Sequence, residues 1–145
     1  MELEVCDEGN NVYTQLASLL LWSAAAQPAW VGIDYQHEGD AFYVNTSNVK
    51  RAGDKVYYWS MITYSKPRLI DGKWSMSELN EAVTDCAAMQ QAFLYLSRYD
   101  KPGGEGNITD FKLSPESKLE FRPIAPQSLA DHERKIVCNL PVKAQ

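Results

Sequence analysis

From residue 54 the chain reads DKVYYWSMITY, a run in which both sets of alternate side chains are largely apolar. Period-two alternation puts Val56, Tyr58, Ser60, Ile62 and Tyr64 on one side and Tyr57, Trp59, Met61 and Thr63 on the other. A strand apolar on both faces is expected inside a sheet and covered on both sides, so this run predicts a central strand. Shorter runs of the same period surround it. Val31, Ile33 and Tyr35 alternate within residues 30–36, and Phe42 with Val44 within 40–46, separated by a turn at His37-Glu38-Gly39. Gly53-Asp54 and Asp71-Gly72 supply residues that tolerate positive φ and mark tight turns. Residues 76–86 and 90–100 read as a long hairpin turning near Ala87 to Met89. The stretch KPGGEGNIT, 101–109, predicts a surface loop, followed by a short strand holding either Phe111 and Leu113 or Leu119 and Phe121.

The period changes near the C-terminus. Ser128 is placed to cap a helix, with Asp131 three residues on, Leu129, Ile136 and Val137 along one side, and Asp131 and Arg134 off it. The fold class is therefore α+β, an antiparallel sheet with a C-terminal helix packed on one face. No internal repeat or second domain is visible. At 145 residues the chain suits one domain, which buries roughly 70% of its unfolded surface without needing a disulfide. Net charge is −5, and no Lys or Arg occurs before residue 50, which argues against a nucleic-acid partner. No apolar run approaches the ~20 residues of a membrane span.

The segment before Trp30 is the ambiguous part. LASLLLWSAAA, 16–26, followed by QPAW resembles the end of a secretory leader, yet MELEVCDEGNNVYT ahead of it is acidic where a leader is positive. Two readings stay open for residues 1–29: a leader-like segment behind an upstream extension, or an N-terminal helix with Leu16, Leu19, Leu20 and Ser23 on one face. The first places the protein in the periplasm or on the cell surface; without a leader it stays in the cytoplasm. Residues 30–145 form the domain.

The run YVNTSNVKRAGDKVYYWSMITYSKPR, 43–68, combines a Ser-x-x-Lys-Arg turn, a Gly-Asp turn and an aromatic strand ending Tyr-x-x-Pro. With EAVTDC at 81–86 and APQSLADHERKIVC at 125–138, it resembles the bacterial surface-adhesin protein E family over residues 30–139. The resemblance implies a PAS-like sheet of about six strands, a C-terminal helix held on it by a disulfide, export, and binding to host matrix or plasma proteins. The chain departs from the family pattern at Gln127, where Gly is common, in the spacing of the 101–109 loop, and in lacking a lipidation box. Cys6, Cys86 and Cys138 are an odd set. The family pattern matches Cys86 and Cys138, one ending a strand beside a turn and the other ending the helix. Read from the residues alone, a disulfide and two buried thiols both remain open. Cys6 is left over, and ELEVC has no apolar stretch before it.

Catalytic chemistry finds no foothold. His37 and His132 are far apart and lie in no nucleophile or carboxylate motif, and GGEGN lacks the flanking strand and helix of a phosphate loop. The cysteine spacing and the two His predict no metal and no cofactor. The triplets at 45–47 and 107–109 match a glycosylation sequon by composition and carry no weight. Aromatics are more informative. Tyr57 and Trp59 point away from the face that carries Tyr58 and Tyr64, and such side chains anchor interfaces, fill cores or meet a second copy in a homodimer. Lys50, Arg51, Lys66 and Arg68 are the local basic cluster in an acidic chain. The candidate protein-binding residues are therefore Lys50, Arg51, Tyr57, Trp59, Lys66 and Arg68. The expected function is that of an exported, non-enzymatic binding protein, with an immunity or inhibitor protein that neutralises a bacterial toxin or envelope enzyme as the alternative.

Overall fold

The computed structural model describes residues 29–141. The strands are β1 (Trp30–Gly32), β2 (Ala41–Asn45), β3 (Lys50–Ala52), β4 (Lys55–Ile70), β5 (Lys73–Asp85), β6 (Gln90–Tyr99), β7 (Ile108–Leu113) and β8 (Arg122–Pro123), and the helix is α1 (Leu129–Val137). Every pairing is antiparallel, in the order β1-β2-β4-β5-β6-β7, with β3 beside β4 and β8 beside β6. The main path thus has the six strands expected. The N-terminal helix or leader and Cys6 lie outside the described residues.

Local chemistry explains the turns. At the β4–β5 turn Asp71 has φ 51° and Gly72 φ 78°, the paired positive values of a turn that follows strand twist. The β5–β6 hairpin reverses over residues 86–89, and Asp85 accepts the Ala88 N–H at 2.9 Å. The core lies between β4 and α1: Phe42, Val44, Val56, Tyr58, Ala82 and Val137 are buried, with Leu129 and Ile136 packed against them. Ser128 caps α1 by accepting the Asp131 N–H at 3.2 Å. Cys86 and Cys138 are disulfide-bonded, with Cα atoms 6.0 Å apart, and Arg51 donates to the Cys138 carbonyl at 3.1 Å. The open choice between disulfide and thiols is thus resolved in favour of the bond. Closing a loop across 52 residues stabilises the domain by about 4 kcal/mol in the chain-entropy account.

Several expectations are corrected. β4 is central, yet the face turned away from α1 is only partly covered: Tyr57, Trp59, Met61 and Thr63 are half-buried, and Phe121 lies against Lys55 at one end. β1 ends at Gly32, so Val31 is exposed while Ile33 turns into the core beyond the strand. Asp131 is buried, because its carboxylate accepts the Gln127 N–H at 3.0 Å and two bonds from Arg134. Glu133 is buried as well. The 101–109 loop contains a short 3-10 turn, Pro102–Gly104, tied down where Gly103 and Gly104 N–H donate to Thr63 Oγ1 and Ser77 Oγ. The strand after it holds Phe111 and Leu113.

Candidate binding surface

Cross-strand register assembles the face turned away from α1. Trp59 stands opposite Glu81, Glu81 opposite Tyr95, and Tyr95 opposite Leu113; one step along, Met61, Leu79, Ser97 and Phe111 make a second row. The Trp59 and Tyr95 rings meet edge-on, with centroids 5.7 Å apart. Tyr57 stands opposite Val83, which is fully buried. The band grows more exposed toward the sheet edge, reaching 62% at Phe111 and 72% at Leu113. An aromatic band half-buried at its centre and open at its rim offers large contact area at little conformational cost.

The basic candidates are not brought together. Lys50 and Arg51 lie in β3 opposite Tyr57 and Val56, whereas Lys66 and Arg68 lie near the other end of β4, about 30 Å along the strand at ~3.3 Å per residue. Arg68 is engaged by Asp40 and Glu38 and lies over the Tyr64 ring at 4.6 Å, while Arg51 is occupied at the end of α1. Lys50 and Lys66 are exposed. Of the candidates, Tyr57 and Trp59 share one patch, with Lys50 at its margin opposite Tyr57.

Two buried polar clusters occupy the helix-facing side of the sheet. In the first, Tyr58 donates to Glu133 at 2.8 Å, and Gln91 donates to both Tyr58 Oη and Glu133 at 2.7 Å. Burial raises the Glu133 carboxyl above its ordinary range, and burial together with the Glu133 charge raises the Tyr58 phenol well above its own. In the second, Arg98 donates to Glu78 and to Asp110, each at 2.9 Å, and Tyr64 donates to Glu78 at 3.1 Å. Burial and the Glu78 charge push the Tyr64 phenol up to about 12. Asp131 is held down at about 2, first by the Gln127 backbone N–H and then by Arg134.

The first cluster also holds the Thr84 hydroxyl, 3.1 Å from Tyr58 Oη, and is buried beneath α1. His132 donates from Nδ1 to the Ser128 carbonyl at 2.8 Å and packs on Tyr35, while His37 lies beside Glu38. No group of His, Cys, Asp or Glu suited to a metal occurs among the described residues. Sequence reasoning missed Glu133, Glu78, Gln91 and Arg98. Glu133 did leave a signal, since Leu129, Glu133, Ile136 and Val137 form one helical stripe and a carboxylate within it must be buried.

The profile of the surface-adhesin protein E family matches residues 30–139. The chain belongs to that family. No curated protein matches it at a significant level. The fold is similar to crystal form II of Haemophilus influenzae protein E, with a TM-score of 0.58 at 11% identity over 80% of this chain and 91% of that one. A second Haemophilus influenzae protein E structure gives 0.56 at 11% identity over 80% and 88%, and that from a non-typeable Haemophilus influenzae gives 0.54 at 12% over 80% and 79%. At such identities the likeness concerns the fold: an antiparallel sheet with one C-terminal helix. Gln127 holds a positive φ of 62°, and the Asp131 carboxylate accepts its N–H.

Proposed function

We propose that this chain is an exported, non-enzymatic binding protein of the surface-adhesin type, built on a PAS-like scaffold, that engages a protein partner through the sheet face bearing Tyr57, Trp59, Tyr95, Phe111 and Leu113. Family membership over residues 30–139 carries the reading. The exposed edge of that aromatic face supports the choice of surface, and the disulfide suits an oxidising compartment. Host matrix and plasma proteins are the partner class the family name suggests. Lys50, exposed in β3 beside Tyr57, and Lys66, exposed toward the far end of β4, steer association and add little to affinity.

Binding of the full-length protein, disulfide intact, to immobilised matrix and plasma proteins tests this. Trp59→Ala and Leu113→Asp are expected to weaken capture at least tenfold while leaving the fold intact by circular dichroism. Absence of capture across the panel at moderate salt would sink the adhesion reading, and co-purification of a bacterial toxin or envelope enzyme would replace it with the inhibitor reading. A monomer–dimer equilibrium shifted by Leu113→Asp alone would assign the face to self-association. Mass spectrometry of the mature N-terminus, with and without reductant, tests export.

A further inference from the structure

β6 has two partners along the same edge. β7 pairs with Tyr95–Tyr99 and β8 with Gln90–Gln91, while a bulge shifts the register of β6 against β5 between them. From Ser114, whose N–H still donates to the Leu94 carbonyl, the chain leaves the sheet and returns at Arg122. The detour opens a groove of about 560 Å³ against β6. Phe93, Leu96 and Ile124 line its apolar floor, with Phe93 46% exposed. Lys112, Lys118 and Arg122 stand along its rim.

We propose that this groove is a second binding site, adjoining the aromatic face at Tyr95, that takes an extended acidic segment of a partner protein. Its lining contains one carboxylate, Glu120, which lies 3.8 Å from Arg122 with both side chains about 85% exposed, so water screens that pair heavily. The groove is therefore cationic on a chain whose net charge is −5. Cations spaced along an open rim suit several carboxylates in a row, and the Phe93 floor suits an apolar side chain between them. A single small anion is a poorer match. The one buried polar side chain in the lining, Gln91, already spends its amide on Tyr58 and Glu133, and no other buried donor is available to fix such a ligand. Opposite potentials accelerate encounter and suppress wrong partners, so the interaction weakens with salt.

Fluorescence anisotropy with a labelled peptide of Asp and Glu around one Phe, titrated with the full-length protein at low and moderate salt, tests the site. Binding is expected to exceed that of the same peptide with Lys in place of its acids. Lys112→Glu with Lys118→Glu is expected to lower affinity at least tenfold, and Phe93→Ser to lower it further, with melting temperatures unchanged because these side chains are exposed. Trp59→Ala is expected to leave peptide binding intact, which separates this site from the adhesive face. Equal affinity for the acidic and Lys peptides, or no effect of charge reversal, overturns the proposal. So does tight binding of a long-chain fatty acid that Phe93→Ser abolishes while the peptide does not bind.

Discussion

Strand β4 carries two tyrosines that each donate a hydrogen bond to a buried carboxylate, and the two sites differ in one respect. Tyr64 meets Glu78, which also accepts from Arg98, whereas Tyr58 meets Glu133, whose donors among the described residues are all neutral: Tyr58, Gln91 and Ser60. The Glu78 site is a compensated ion cluster that extends to Asp110. The Glu133 site is a carboxyl taken out of water with hydrogen bonds and no cation. The same side-chain pair therefore holds charge at one end of the sheet and resists it at the other, because the cost of burying an ion depends on what else is buried with it.

The difference can be broken most strongly at the disulfide. Cys138→Ser is expected to cost about 4 kcal/mol by urea unfolding, and to loosen the Glu133 site under α1 well before the Arg98 site. Amide exchange that spreads equally over both would mean that they unfold as one unit. Next in size, Arg98→Met leaves Glu78 and Asp110 without their shared cation and is expected to destabilise by about 3 kcal/mol. Glu133→Gln should change stability at neutral pH by at most about 1 kcal/mol in either direction, since it removes the buried charge and keeps an acceptor for Tyr58. Equal losses in these two variants would abolish the distinction between the sites.

Proton linkage sharpens it further. The folded-state carboxyl of Glu133 is raised, so its contribution is fully present below the unfolded value of about 4.5 and is lost as pH rises through the folded value. Asp131, held at about 2, behaves oppositely: its contribution is present above about 4 and is lost as pH falls toward 2. Denaturation midpoints across pH should show both slopes, and Glu133→Gln should remove only the one at higher pH. The phenols separate the two sites as well. Tyr58→Phe removes a hydroxyl bonded to Glu133 and Gln91 and should cost about 2 kcal/mol, against about 1 for Tyr64→Phe, where Arg98 still satisfies Glu78. A reversed order would show that the Arg98 cluster depends on the phenol for its geometry.

Much of the fold was legible. The alternation of residues 54–64 assigns Tyr58 and Tyr64 to one face and Tyr57 and Trp59 to the other, as observed, because strand side chains alternate whatever lies beside them. The Asp71-Gly72 turn and the Ser128 cap could be read for the same reason, their hydrogen bonds and dihedrals being confined to a few neighbouring residues. The candidate surface was legible only in part. Tyr57 and Trp59 could be found from alternation, but Tyr95 and Leu113 join them through strand register, which no local pattern encodes. The basic cluster failed because closeness in sequence is not closeness along an extended strand: β4 carries Lys66 and Arg68 away from β3.

Short-range chemistry in the sequence by itself determined where strands alternate, where the chain turns and where the helix begins. Tertiary structure alone decided which charges are compensated. Glu78 received Arg98 from the neighbouring strand and Glu133 received the neutral Gln91, Tyr58 and Ser60, since buried partners are chosen by pairing register and by the seat of α1. A carboxylate's own sequence neighbours do not specify either.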